Sequence, residues 1–164
     1  IRHLLNDGEI GARNLTLLAT LLPHGRWHPM PVDAGADPLR LARDYAAQLA
    51  AAAGSPPRLD VVHLGLGDDG HVASLFPGDA ALALHDRDVA PTGLQRGHRR
   101  LSCTVPLLSR ARARAWLVTG AGKAPMLAAL LAGDPRIPAA LLERADSCVF
   151  ADAAAAARLT RSAP

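Results

Sequence analysis

Three short stretches of the sequence combine residue types that can do chemistry. The densest runs from Gly65 to Gly78, GLGDDGHVASLFPG, where Asp69, Gly70 and His71 stand together among glycines and before Pro77. An imidazole titrates near pH 6.5, so it can take a proton from water without help from a metal. A carboxylate beside it can fix the ring tautomer and stabilise the imidazolium that forms. Gly67 and Gly70 would let the backbone approach a small ligand and could aim N–H groups at a developing oxyanion. Locally, the arrangement fits a general-base site and fits equally a structural turn with an exposed histidine.

Rival readings fail on particular residues. Gly65, Gly67 and Gly70 satisfy GxGxxG, with Asp86 about 20 residues on, as in a dinucleotide fingerprint. That fingerprint needs a long helix from the third glycine, which Pro77 and Gly78 cut short, and it leaves no place for Asp68 and Asp69 beside a pyrophosphate. The second stretch, Gly120 to Lys123 (GAGK), follows a run with strand character and opens a helical one. It lacks a Walker loop's first glycine, since position 117 is Leu, and Ala124 replaces the magnesium-binding hydroxyl. Lys123 at a helix start can still assist in binding one phosphate, or be a surface lysine after a turn. In the third stretch, His24 and His28 lie four apart, but Pro23, Gly25 and Pro29 deny them a shared helical face, so no metal site is expected. Ser74 has no GxSxG elbow around it.

The elements that would hold these residues can be outlined from periodicity. Leu15, Leu18, Ala19 and Leu22 mark an amphipathic helix over Gly11–Leu22, and Asp37 with Pro38 caps another running to Ala53, buried along Leu41, Tyr45 and Leu49. After a break at Gly54–Pro57, Leu59–Leu66 reads as a buried strand feeding the glycine segment. Strands are expected over Arg100–Val105, Ala113–Thr119 and Ser147–Phe150, with a helix over Lys123–Leu131 and an Ala-rich helix after Phe150. Alternating strands and helices indicate an α/β fold with a largely parallel sheet in three layers, flanked by helices.

The 164 residues suit one domain, 49% of them apolar, with aromatics at only 3%, so the core must rest on Ala, Leu and Val. No apolar run approaches the roughly 20 residues that span a bilayer, and no signal peptide is evident, so a cytoplasmic protein without membrane contact is expected. The net charge of +3 is scattered, apart from Arg96–Arg100 and Arg110–Arg114, and lacks interleaved aromatics, which argues against nucleic acid as a partner. Cys103 and Cys148 form no metal-type spacing and are expected as buried free thiols.

Leu64 to Gly78 matches the pattern LGxGxDGHxASLFPG at every specified position, and the chain thereby resembles the 6-phosphogluconolactonase family, within the group that includes glucosamine-6-phosphate isomerase/deaminase. Arg13-Asn14 with LTLLATLL, Trp27–Val32 as a strand, Arg100–Pro106, Gly120 with Lys123, and Pro138–Leu142 follow in the family's order. The resemblance implies a Rossmann-like sheet and hydrolysis of 6-phospho-glucono-1,5-lactone to 6-phosphogluconate, without metal or cofactor. It implies His71 as general base, Asp69 as its partner, Gly67 and Gly70 as substrate-binding, and Arg100 with Lys123 on the substrate phosphate. In the deaminase branch a Glu stands just before the proline; here Phe76 does. Residues 1–10 do not resemble the family's Asp-Glu-Arg segment, and a glycine/serine phosphate loop is missing, so residues 1–164 are expected as one domain truncated at its N-terminus. A sugar-phosphate-binding remnant without activity is the alternative.

Overall fold

A computed structural model of the protein describes residues 16, 20, 28–31, 35–95, 97 and 100–159. The helix expected over Gly11–Leu22 falls almost wholly outside them; Thr16 and Thr20 alone are described, both helical. Of the strand expected over Trp27–Val32, residues 28–31 are described and belong to neither strand nor helix, although Met30 is buried.

Helix α1, Pro38–Ala53, begins as its residue types require. The Asp37 carboxylate accepts the N–H groups of Leu39 at 3.0 Å and Arg40 at 3.3 Å, satisfying donors that the first turn leaves without partners. Gly54, at φ +90°, ends it. Its buried stripe is Ala42, Tyr45 and Leu49, with Leu41 only partly covered, so the face sits slightly to one side of the expected one. Tyr45 is fully buried, and its hydroxyl donates to His28 O at 2.8 Å.

Strands β1 (Val61–Gly65), β4 (Ala113–Val118) and β5 (Ser147–Ala151) form a parallel sheet in the order β1-β4-β5. Val61 pairs with Ala113 and Trp116 with Val149. The connection from β1 to β4 holds an antiparallel pair, β2 (Val89–Pro91) with β3 (Leu101–Cys103), and helix α2 (Val105–Ser109). A 3-10 turn at Ala121–Lys123 leads into helix α3, Ala124–Ala132, which stops at Gly133 in the left-handed region. Three expectations change in detail. Arg100–Val105 is a three-residue strand followed by a short helix that Pro106 helps to start. The Ala run after Phe150 closes β5 and then makes only the 3-10 turn Ala155–Arg158, ahead of which the Asp152 carboxylate accepts Ala155 N–H at 2.7 Å.

The third change concerns the sheet. Expected as buried throughout, β1 alternates instead: Val62 and Leu64 are buried while Val61 is 62% exposed. Leu117 on β4 and Phe150 on β5 are exposed on the same face. Successive side chains on a strand point to opposite faces, and only the face carrying Val62, Leu64, Trp116 and Val118 joins the core with Tyr45, Leu107 and Leu127. Among the described residues nothing buries the other face. At the amino end of β4, Arg114 is buried, and among the described residues no carboxylate forms an ion pair with it. Its guanidinium donates to the carbonyls of Ser109 and Ala111 at 2.8 and 2.9 Å, to Ala145 O, and to Ser147 Oγ at 3.1 Å. Carbonyl dipoles thus offset the cost of burying the charge, and the side chain ties α2 to the start of β5.

Candidate active site

Three parallel strands put their carboxyl ends on one edge, and the sequences with chemical potential leave from that edge. Leu66–His71 follows β1, Gly120–Lys123 follows β4, and Asp152 follows β5. Open α/β sheets bind ligands along such an edge.

The turn after β1 is held by its own backbone. Gly67 N–H donates to His71 O at 2.8 Å and Gly70 N–H to Gly67 O at 3.2 Å. Asp69 Oδ1 accepts the His71 N–H at 3.0 Å and lies 2.6 Å from His71 Nδ1, so one carboxylate oxygen fixes both the backbone and the ring of the histidine. That bond places the proton on Nδ1 and leaves Nε2 as the basic nitrogen, with no partner among the described residues. The side chains are 30% and 45% exposed for His71 and Asp69, so water reaches both. Partial burial pushes the Asp69 carboxyl up, but the His71 N–H, the ring hydrogen bond and the imidazole's charge outweigh it, and the group is held below the usual value.

The glycines act differently from expectation. Their N–H groups are spent inside the turn, so neither Gly67 nor Gly70 offers one to an oxyanion here. Their lack of a side chain is what matters. A Cβ on Gly67 would overlap the imidazole at Nδ1 and stand 2.6 Å from Asp69 Oδ1. Gly70 has φ +84°, and a Cβ there would stand 2.6 Å from Ile137 Cβ and Cγ2. Gly70 O also accepts Ala139 N–H at 3.1 Å, so the 3-10 turn Pro138–Leu141 buttresses the histidine loop from below.

Beyond His71 the chain makes a tight bridge between Val72 and Leu75, with Ala73 at φ +52°. Ser102 Oγ, on β3, accepts Ser74 N–H at 3.2 Å and so joins this turn to the hairpin. The bridge delivers Phe76 back onto the histidine: the two ring centroids are 4.3 Å apart, tilted by 31°. Arg100, just before β3, sits with Cζ 5.8 Å from the centre of the same Phe76 ring. Its Nε is buried without a hydrogen-bond partner, and no carboxylate pairs with the guanidinium among the described residues. The structure therefore gathers His71, Asp69, Gly67, Gly70 and Arg100.

Lys123 is placed less directly. It stands where the 3-10 turn meets α3, and Met126, three residues on, reaches the Gly70 turn, where its Sδ would lie 3.3 Å from a Cβ on Gly70. The first N–H of the GAGK turn is already bound: Gly120 donates to the Asp152 carboxylate at 3.1 and 3.0 Å. Among the described residues no group of His, Cys, Asp and Glu is arranged to hold a metal. A hollow of about 680 Å³ lined by Asp37, Pro77, Asp79, Thr92 and Gly93 adjoins the end of the segment, and His71 does not line it. The imidazole sits instead on an open edge. Sequence reasoning missed Ile137 and Ala139 as supports, Phe76 as a stacking partner and Asp152 as a turn clamp. A positive-φ glycine with no space above it is the signal that would have called for a partner such as Ile137, but it exists only once the fold is known.

The comparisons with known proteins agree on one family. A family model described as glucosamine-6-phosphate isomerases/6-phosphogluconolactonase matches residues 8–150. A 6-phosphogluconolactonase of Synechocystis sp. is 44% identical over 70% of this chain and 50% of its own length. That of Mycobacterium tuberculosis is 35% identical over 90% of the chain and 64% of its own. Among solved structures, the 6-phosphogluconolactonase from Trypanosoma brucei superposes with a TM-score of 0.70 at 27% identity, covering 82% of this chain and 59% of that one. The chain thus spans roughly half to two thirds of the length of the relatives it matches. With most of its length matched and the Asp69–His71 turn at the expected edge, the chain belongs to the glucosamine-6-phosphate isomerase/6-phosphogluconolactonase family.

Proposed function

We propose that this protein hydrolyses 6-phospho-glucono-1,5-lactone to 6-phosphogluconate in the cytoplasm, with His71 as general base and no metal in the reaction. The observation that carries the reading is the 2.6 Å contact between Asp69 Oδ1 and His71 Nδ1, which leaves Nε2 basic at the carboxyl edge of the sheet. The names of the relatives supply the substrate.

In this reading Nε2 takes a proton from water as the water oxygen attacks the lactone carbonyl carbon. Asp69 stabilises the imidazolium through Nδ1–H. The tetrahedral intermediate collapses with cleavage of the bond to the ring oxygen, which recovers the proton from Nε2 as it leaves. A lactone is an activated ester, and a positioned base contributes about 10²-fold to 10⁴-fold, so one histidine is adequate. Arg100, whose buried Nε has no partner among the described residues, and Lys123 bind the substrate phosphate. Phe76 occupies the position where the deaminase branch carries a carboxylate, which favours lactone hydrolysis over amino-sugar chemistry.

The test is steady-state kinetics on the full-length protein. His71→Ala is expected to lower kcat by about 10²-fold or more with KM nearly unchanged, since the base acts in the transition state. Arg100→Ala is expected to raise KM chiefly. An unaltered kcat in the first variant removes His71 from the mechanism. Lactone hydrolysis at the buffer rate by the wild type, together with a shift in melting temperature on adding 6-phosphogluconate, identifies a binding protein instead.

A further inference from the structure

We infer that Phe76 is a positioning residue that holds the His71 imidazole and the Arg100 guanidinium in register on one aromatic ring. The inference rests on the proposed lactone hydrolysis for its kinetic consequences, while its structural part stands separately.

Two contacts carry it. The His71 and Phe76 ring centroids lie 4.3 Å apart at a 31° tilt, a spacing at which rings attract and rotation of the imidazole out of its plane is hindered. Arg100 Cζ lies 5.8 Å from the same Phe76 centroid, within cation–π range. Together the distances cap the separation of the imidazole centre from the guanidinium carbon at their sum. In the lactone, the carbonyl carbon and the phosphorus are joined through the ring oxygen, a ring carbon, the exocyclic carbon and the phosphoester oxygen, a span that fits within that cap.

The type of contact matters as much as its length. A carboxylate at position 76 would hold Arg100 more strongly, but it would cancel the charge needed for an anion and compete for His71. An aromatic ring fixes both cation-forming groups while neutralising neither. This accounts for two otherwise odd features: Arg100 is partly buried with its Nε unpartnered, and His71 Nε2 has no protein acceptor or donor nearby among the described residues. Phe76 is itself fixed by the Val72–Leu75 bridge before it and by Asp79 N–H, which donates to Phe76 O at 3.0 Å.

The experiment compares Phe76→Leu, Phe76→Tyr and Arg100→Ala, and the Phe76→Leu/Arg100→Ala double variant, in the full-length protein. Phe76→Leu is expected to lower kcat roughly tenfold or more, because small misplacements of a base are costly, and to raise KM as well. Phe76→Tyr, which keeps the ring, should restore both to near wild type. In the double variant KM should rise no further than in Arg100→Ala alone, since the ring acts on KM through the guanidinium. Nitrogen-15 spectra of the histidine ring report independently of turnover: Phe76→Leu should broaden the His71 Nδ1–H signal through faster exchange with solvent, as the ring turns out of its hydrogen bond, and weaken retention of inorganic phosphate, and Phe76→Tyr should not. If Phe76→Leu leaves the ring spectrum and phosphate binding as in wild type, or if the KM effects simply multiply, the positioning role is overturned. If those readouts change as expected while the wild type hydrolyses the lactone only at the buffer rate, the positioning stands and the proposed reaction falls.

Discussion

At the residue scale, Asp69 decides what the histidine can be. Its single oxygen Oδ1 serves both the N–H and the ring of His71, so one group sets the tautomer and anchors the ring at Nδ1. The same bonds hold the Asp69 carboxyl below its ordinary value against the opposing effect of burial. A carboxyl with a depressed folded pKa adds stability that is fully present above its unfolded value, near 3.9, and is lost as pH falls through the folded value. The Asp69–His71 turn is therefore expected to survive acidification to below the normal carboxylate range. A carbon-13 titration of the side chains checks this: the Asp69 midpoint should lie below that of an exposed aspartate and move up in His71→Ala. An unmoved midpoint would show that the ring contributes nothing to holding the anion. Asp69 and His71 were legible in the sequence because both partners lie within three consecutive residues. The Arg100 contact with Phe76 was not, since it exists only where β3 lies beside the loop.

At the scale of elements, the histidine loop is only as rigid as what lies beneath it. Ile137 fills the space that Gly70 leaves, and Ala139 N–H pins Gly70 O. Gly70→Ala meets two penalties: a left-handed backbone disfavoured for alanine, costing about 1 kcal/mol or more, and overlap with Ile137. Adding Ile137→Ala relieves the second and not the first. Denaturant unfolding of the two single variants and the double should show coupling on the order of 1 kcal/mol, with the double less destabilised than the sum. Strict additivity would mean that the two residues do not meet. Helix α1 was read to within its caps because Asp37, Pro38 and Gly54 are local signals of how a helix starts and stops. Strand β2, its pairing with β3 and helix α2 were not, because elements of three to five residues are too short to show a period, and the pairing is dictated by partners distant in the chain.

For the whole molecule, two cysteines report how the sheet is covered. Both are free, but only Cys103 is buried as expected. Burial, with a further push from the Asp88 charge, raises the Cys103 thiol to about 12. Cys148, on β5, points to the face that the core does not use and is exposed. A thiol reagent at pH 8 should titrate one equivalent in the native protein and two in guanidinium chloride; two in the native state would show the core open around Cys103. The strand identities were legible from apolar runs, yet the one-sided burial of Val61, Leu117 and Phe150 was not, because a run of apolar residues looks the same whether one face or both are covered. No helix among the described residues is long and apolar enough to cross a membrane. The parallel pairing of β1 with β4 also sets an order in time. Val61 finds Ala113 only after the whole intervening chain, with the histidine turn and the β2–β3 pair inside it, has looped back, and such distant contacts form late. The helices α1 and α3 draw on neighbours within a few residues and need not wait. On dilution from denaturant, helical ellipticity should thus recover before the proposed lactonase activity does, so that turnover would serve as the clock for closure of the sheet.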